Sequence, residues 1–430
     1  MIRTNLCTTM RVLLASLFVS FSLSHFTLYK LTEAISTFNA RSLDGSPSAI
    51  YYEEGSLGSN DWVLFFQGGG WCYNLADCYE RSLGRLGRTT ELPSTQPSME
   101  GLMSDNCTIS PLCNHNKVWL VYTDGNSFSG ALETPINYTT SDGVAHPLWF
   151  RGRSNLDAAL DALGRNVMNS TNLWSDARHV VESGCSAGGL ATYLHSNYLF
   201  DKLAGAYSGV FLSMPISGFF LNRANPEGVF VYGTGIASIH ALSNASTDSA
   251  CEAFYEPTGD TWKCNMAEYV YPFIKAPLFA LNSFYDAWQT GCIMAAEPVY
   301  NETQSLVNGN CSASRGWDKC ASQPKLCTAA QLRTGYLPFG KDMIDIFDTS
   351  QKGQANGNGG FLTSCHTHCE AVPDKTFTTF TISGKTMQQA TTDWYTANTA
   401  AATPAPPMWS VDCKYSTNPG KEQCNPTCTV

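Results

Sequence analysis

The chain is poor in charge. Asp, Glu, Lys and Arg make up 14% of it, and the balance is acidic, 26 basic residues against 36 acidic ones for a net charge of −10. It has no long basic run. Nucleic acid is bound through clustered Lys and Arg that displace counterions, so that class of partner is excluded. With no internal repeat, one catalytic domain followed by a cysteine-rich tail is the simplest organisation. Histidine is scarce at eight residues in 430, which leaves few candidates for a general base. Low charge together with 43% hydrophobic residues describes a globular chain rather than a disordered one.

The apolar run at residues 12–23 is short for a membrane span, and Arg3 and Arg11 precede it. Residues 1–24 therefore read as a cleaved export signal; extension of the run through Phe26, Leu28 and Tyr29 would make it a signal anchor instead. Unless that signal is retained, no stable membrane partner is expected. Of 17 cysteines only Cys7 lies in this segment, and an even sixteen in a secreted chain imply a disulfide framework. Cys72 and Cys78 are close enough to bridge a small loop. Six Asn-x-Ser/Thr sequons, at Asn106, Asn137, Asn169, Asn244, Asn301 and Asn310, agree with passage through a glycosylating compartment.

The stretch that organises the chain is Gly184-Cys185-Ser186-Ala187-Gly188-Gly189. An apolar run at residues 179–183 precedes it and a helical segment to Leu199 follows. Strand, Gly-x-Ser-x-Gly and helix are the context of a nucleophile elbow, a turn so tight that only small residues fit around a raised serine. Ser186 is the candidate nucleophile, at a helix N-terminus that favours developing negative charge. Cys185, beneath the turn, is expected as a buried free thiol, with a second free thiol required by parity. Residues 155–167 carry Leu156, Ala159, Leu160 and Leu163 on one helical face, and strands are expected at 49–53, 62–66, 118–122, 210–216 and 277–281. That βαβ rhythm predicts an α/β fold with a mainly parallel sheet. Residues 251–327 read as disulfide-tied insertions, 353–360 as a Gly/Asn-rich loop, and 396–407 as a linker to a final knot at Cys413, Cys424 and Cys428. The catalytic domain is placed at residues 42–396 and the tail at 397–430.

The strand at 62–66 runs into Gln67-Gly68-Gly69-Gly70-Trp71-Cys72, where glycines let a backbone approach a ligand. Gly69 and Gly70, with Ala187 after the serine, are the candidate oxyanion donors. Arg81, Arg85 and Arg88 recur at helical spacing and are expected to share one face, solvated or docking an anionic glycan.

A serine nucleophile needs a base, and the base a carboxylate, in the chain order Ser, Asp or Glu, His. His195 and His240 follow Ser186 but sit on the elbow helix and before the insertions, so both read as structural. His366 and His368 occur in Ser364-Cys365-His366-Thr367-His368-Cys369, and either can be the base. A Cys/His metal site is the competing reading there, weakened because exported cysteines are expected oxidised. Asp286, just past the strand at 277–281, is the carboxylate candidate or else an ordinary loop aspartate.

Four motifs, Phe66-Gln67-Gly68-Gly69-Gly70-Trp71-Cys72, the elbow, Asn282-Ser283-Phe284-Tyr285-Asp286 and the Ser364–Cys369 stretch, occur in one order that resembles the pectin acetylesterase family. Notum-type palmitoleoyl-protein carboxylesterases belong to the same group. The resemblance runs from about Leu43 to Cys428 and leans to the plant-type branch through its Gly-Cys-Ser elbow. It implies an α/β-hydrolase fold with disulfide-rich insertions and tail, Ser186 as nucleophile, Asp286 as the orienting acid and His368 rather than His366 as base. Relatives carry cysteine where this chain has Ser42 and Thr123, a loss expected of a bonded pair.

The resemblance thus implies a secreted cell-wall glycoprotein that hydrolyses carboxylic esters without metal or organic cofactor. Its expected partner is an acetylated polysaccharide such as pectin. The alternatives are a Notum-like palmitoleoyl-protein carboxylesterase and, from a different class, a catalytically silent glycan-binding relative.

Overall fold

Residues 61–66, Asp-Trp-Val-Leu-Phe-Phe, form a strand buried along its whole length. Trp62, Leu64 and Phe66 enter one hydrophobic core while Val63 and Phe65 enter another, the period-two alternation of a strand covered on both faces. The structure is a computed structural model that describes residues 25–428 except residue 57 and residues 166–171, 205–208, 301–305, 312–315, 350–354, 401–402 and 413–423. The expected signal at 1–24, Cys413 and the sequons at Asn169 and Asn301 lie outside the described residues.

In chain order the described strands begin β1 (His25–Lys30), β2 (Ala49–Glu53), β3 (Asp61–Phe66), β4 (Thr95–Pro97), β5 (Asn116–Leu120), β6 (Ile136–Thr139), β7 (Ala145–Leu148) and β8 (His179–Cys185). They continue with β9 (Val210–Ile216), β10 (Phe279–Ser283), β11 (Glu297–Tyr300), β12 (Leu306–Asn310), β13 (Gly359–Thr363), β14 (Thr381–Ile382), β15 (Lys385–Thr386) and β16 (Met408–Val411). A 10-stranded sheet runs β16-β13-β10-β9-β8-β3-β5-β2-β1-β4, and three two-stranded hairpins lie outside it. Every pairing from β5 across to β16 is parallel, and β2, β1 and β4 continue it antiparallel. The expected α/β-hydrolase architecture, with its mainly parallel sheet and disulfides, is therefore present. Helices Gly152–Gly164 and Ala187–Ala204 flank β8 in sequence, as the βαβ rhythm requires.

Several elements differ from expectation. The strand at 49–53 is the second rather than the first; β1 precedes it, with Phe26 fully buried, so the residues weighed as an anchor's extension are part of the sheet. The linker expected from residue 396 begins as the end of a helix, Met387–Ala400, whose Trp394 is buried and donates its indole N–H to the Gly357 carbonyl at 2.7 Å. Past it, β16 joins the sheet beside β13, so part of the tail belongs to the catalytic core. The Gly/Asn-rich segment ends by entering β13, which pattern reading missed because Gly359-Gly360-Phe361-Leu362-Thr363 lacks β-branched residues at its start.

The three arginines do not share a face. Their helix, Leu75–Ser82, stops before Arg85, and the chain turns back through Gly84 and Gly87. Arg85 is exposed, Arg88 pairs with Glu91 at 2.7 Å, and Arg81 turns inward beneath the glycine loop. Among the sequons with described side chains, Asn106, Asn137 and Asn244 are exposed; Asn310 lies in β12.

Every cysteine among the described residues is disulfide-bonded. Cys72–Cys78 closes the small loop as expected, and Cys251–Cys264, Cys292–Cys311 and Cys320–Cys327 tie the insertions. Ser42 and Thr123 are buried, and the Leu43 N–H donates to the Thr123 carbonyl at 3.0 Å, which brings the two positions side by side. The Thr123 hydroxyl has no hydrogen-bond partner. Replacing both by cysteine in a Ser42→Cys/Thr123→Cys protein is expected to form a new disulfide and to stabilise the fold by about 2–4 kcal/mol. Two free thiols in the oxidised double variant, or an unchanged unfolding midpoint, would show that the positions are not paired.

Candidate active site

β8 ends at Cys185 and the next helix begins at Ala187, so Ser186 alone makes the turn. Its φ is 62°, a left-handed conformation that costs a non-glycine residue on the order of 1 kcal/mol or more. The turn is held by the Ser186 N–H to Ile216 carbonyl bond at 3.0 Å and by Leu190 N–H on the Ser186 carbonyl at 2.8 Å. A Cβ on Gly184 would strike the Gly188 backbone, and one on Gly188 would strike the Phe66 carbonyl. Close approach of strand, turn and helix therefore requires both glycines and leaves Ser186 half-buried at the sheet's C-terminal edge.

At the same edge β10 delivers Asp286. Its carboxylate is fully buried, and Oδ1 accepts the backbone N–H groups of Trp288 at 3.1 Å and Gln289 at 3.0 Å. The other oxygen, Oδ2, accepts from His368 Nδ1 at 2.7 Å. His366, two residues earlier, meets different partners: its Nε2 lies 3.0 Å from Thr290 Oγ1 and 3.0 Å from the Ala321 carbonyl. Of the two histidines, the structure thus gives the aspartate to His368.

The loop that carries His368 follows β13 and is fastened at several points. Ala287 N–H donates to the Thr367 carbonyl at 3.0 Å, joining the acid and histidine loops. Asp412 accepts from the Ser364 N–H and hydroxyl, and Cys365 is bonded to Cys428. Most directly, Cys185 is bonded to Cys369, Cα to Cα 5.7 Å. The expectation of a free thiol at Cys185 is wrong. Its partner lies 184 residues away, and no local spacing signals a bond between sheet edge and distant loop. The same bond bears on the metal reading: the Cys185, His368 and Cys369 donor atoms lie within 4.8 Å of one another, but both sulfurs are committed to a disulfide, as is Cys365.

The glycine loop forms the facing wall. Gly69 and Gly70 have φ values of 140° and 65°, which side-chain-bearing residues rarely adopt. Arg81 Nη1 donates to the Gly69 carbonyl at 2.9 Å and the Tyr122 hydroxyl to the Gly70 carbonyl at 2.8 Å. Ser127 bridges onward: its N–H donates to the Tyr122 oxygen at 2.9 Å and its hydroxyl to the Ala187 carbonyl at 2.9 Å. Of these, sequence reading named Gly69, Gly70 and Ala187 but missed Tyr122 and Ser127. It noticed Arg81 only as one of a surface row.

Sequence reading also missed Glu370 and Ser217. Ser217 Oγ donates to Glu370 Oε2 at 2.9 Å and accepts the Cys369 N–H at 2.9 Å. Burial first, and then the charge of Asp286, push the Glu370 carboxyl up to about 7. At His368 burial opposes protonation, but the charge and hydrogen bond of Asp286, with a smaller contribution from Glu370, outweigh it and raise the pKa above the ordinary histidine value. Burial lowers His366. His195, fully buried with Nε2 2.9 Å from the Ser127 carbonyl, is pushed down to about 3 and His240 is also lowered by burial, consistent with structural parts for both.

The chain is similar to known proteins over most of its length. A model of the pectinacetylesterase family matches residues 24–425. Pectin acetylesterase 5 of Arabidopsis thaliana is 30% identical over 410 residues, 93% of this chain and 84% of that protein. Pectin acetylesterase 11 of the same plant is 29% identical over 396 residues, 90% of this chain and 88% of its own length. The palmitoleoyl-protein carboxylesterase NOTUM of Homo sapiens is 26% identical over 259 residues, 57% of this chain and 49% of that protein.

The electrostatics give a measurable order. In NMR titration His368 is expected to hold its proton to a pH above 6.5, while His366 loses its proton below that value. Because Glu370 adds negative charge near the ring, Glu370→Gln is expected to lower the His368 midpoint. A His368 midpoint at or below that of His366 would contradict the pairing with Asp286.

Proposed function

The chain belongs to the pectinacetylesterase family and is a carboxylic ester hydrolase, and from that premise we propose that it removes O-acetyl groups from pectin or a similar cell-wall polysaccharide through an acyl-enzyme on Ser186. The observation that carries the reading is the 2.7 Å hydrogen bond between Asp286 and His368 on a loop disulfide-bonded beside the Ser186 turn. Asp286 accepts a hydrogen bond from the Nδ1–H of His368 and so holds the neutral ring in the tautomer that presents an unprotonated Nε2. That nitrogen accepts the Ser186 proton as Oγ attacks the acetyl carbonyl. Negative charge on the carbonyl oxygen is stabilised by the Gly69, Gly70 and Ala187 N–H groups, which need not reorganise as it develops. His368 then protonates the departing sugar oxygen, leaving acetyl on Ser186. A water deprotonated by His368 attacks the ester, the acyl–Oγ bond breaks as His368 returns the proton to Ser186, and acetate leaves. No step calls on a metal or organic cofactor.

One observation supports acetyl over a fatty acyl group. The similarity to the plant pectin acetylesterases spans 90% or more of this chain, against 57% for NOTUM. A cavity of about 230 Å³ beside the glycine loop is lined by Gly70, Trp71, Tyr73, Tyr232 and Trp288, with Phe220 packed 5.0 Å from Trp71 and 5.2 Å from Trp288, ring centre to ring centre. Secretion is proposed on the fully oxidised described cysteines and the sequons, since cytosolic thiols are kept reduced.

Acyl-chain profiling on aryl esters, together with acetate release from acetylated pectin, tests the substrate. Acetyl esters are expected to be the best substrates and pectin to yield acetate. A preference for octanoyl or longer chains would move the protein to the fatty-acyl reading. In the same assays Ser186→Ala and His368→Ala are expected to lose on the order of 10⁴-fold or more in kcat, while His366→Ala keeps most activity. Near-normal turnover by folded Ser186→Ala would remove Ser186 from the mechanism. Absence of any hydrolysis by the wild type would favour the glycan-binding alternative.

A further inference from the structure

The mechanism makes no use of the cation behind the glycine loop. Arg81 lies half-buried, with Nη1 on the Gly69 carbonyl at 2.9 Å and Nε on the Leu86 carbonyl at 3.1 Å. Its guanidinium carbon sits 4.7 Å from the centre of the Tyr122 ring, within the range of cation–π attraction. Tyr122 in turn holds the next carbonyl, that of Gly70, at 2.8 Å. Two successive carbonyls of the loop are therefore gripped by two side chains that stack on each other.

The peptide geometry gives this grip a consequence. In a trans peptide the C=O and N–H of one plane point in opposite directions, and the described chain has no cis peptides. The Gly69 carbonyl and the Gly70 N–H belong to one such plane. With the carbonyl oxygen drawn toward Arg81, the Gly70 N–H is turned to the opposite side. Gly70 cannot hold that orientation unaided: its φ of 65° is one of several open to glycine, and a Cβ built there would meet nothing within 4 Å. A positive charge on the carbonyl also polarises the peptide and makes its N–H a stronger donor.

We propose that Arg81 is a positioning residue for ester hydrolysis, which clamps the Gly69 carbonyl and so aims the Gly70 N–H at the oxyanion. The inference rests on the reading of Ser186 and the glycine loop given above. It differs from a substrate-docking part for Arg81, because a clamp acts only when charge develops on the substrate oxygen. Its loss therefore appears in kcat and leaves KM nearly unchanged.

The test uses the purified full chain on a small neutral acetyl ester. Arg81→Ala is expected to lose roughly 10- to 100-fold in kcat, less than the ~10²–10³-fold of deleting an oxyanion donor outright, with KM within about twofold. Added guanidinium should restore part of the loss, and urea at the same concentration should not. Arg81→Lys, which keeps the charge and one donor, should lie between wild type and Arg81→Ala; it also serves as the test if Arg81→Ala does not fold. Arg85→Ala, at an exposed position outside the site, should behave as wild type. An aryl boronic acid, which forms a tetrahedral adduct with an active serine, should bind Arg81→Ala more weakly by about the factor lost in kcat. A folded Arg81→Ala or Arg81→Lys protein with unchanged kcat, a loss confined to KM, or no response to guanidinium would overturn the clamp. Ser186→Ala run in parallel separates the two failures: activity surviving there overturns the site itself, whereas activity lost there but intact in the Arg81 variants overturns the clamp alone.

Discussion

The bond between Cys185 and Cys369 joins the residue before the proposed nucleophile to the residue after the proposed base. These two groups come from opposite halves of the chain. One sits on a strand end fixed in the middle of the sheet; the other sits on a loop that, apart from the Cys365–Cys428 bond at its start, is held by hydrogen bonds. Hydrogen bonds worth about 1 kcal/mol each would leave such a loop free to open. A crosslink closing a loop of 184 residues removes far more freedom from the open states, on the order of 5 kcal/mol in the chain-entropy view. The remaining fastenings then have local tasks. Asp286 sets the ring of His368 through Oδ2, and its Oδ1 is pinned by two backbone N–H groups, so the acid cannot rotate away. Ser217, just past β9, holds the histidine loop at two consecutive residues, accepting the Cys369 N–H and donating to Glu370.

What could be read from the sequence follows from how local each signal is. The Gly-x-Ser-x-Gly turn, the apolar runs of β3, β8 and β9 and the glycine loop are contiguous, and each implies its own backbone geometry. Asp286 and His368 were placed through resemblance, because residue spacing alone left His366 and His368 open. Contacts between distant segments were not legible. Cys185 was expected as a free thiol because its partner lies beyond any local pattern. Arg81 was put on a surface with Arg85 and Arg88 because helical spacing was carried past Ser82, where the helix ends. β16 reads as tail because a linker rich in Ala, Thr and Pro resembles the end of a domain, yet the chain returns to pair with β13.

The corrected arginine row also changes how an acidic substrate is to be understood. In a chain of net charge −10, Arg81, Arg85 and Arg88 do not form a continuous basic face that would collect a polyuronide. Beside the glycine loop, Trp71, Tyr232 and Trp288 instead pack edge to face along an aromatic cavity. Screening over about 8 Å at physiological salt keeps the overall repulsion short in reach. Arg81, half-buried beside the loop, bonds the Gly69 carbonyl instead.

The account depends most on the claim that a covalent tie between elbow and histidine loop sets the catalytic geometry. It is tested by measuring kcat and the unfolding midpoint of the Cys185→Ser/Cys369→Ser double variant on an acetyl ester. The account predicts a cooperatively folded protein whose kcat falls at least tenfold while the remaining disulfides stay oxidised. A folded double variant with wild-type kcat would contradict it, since the hydrogen bonds and the Cys365–Cys428 bond would then suffice to hold His368 against Ser186.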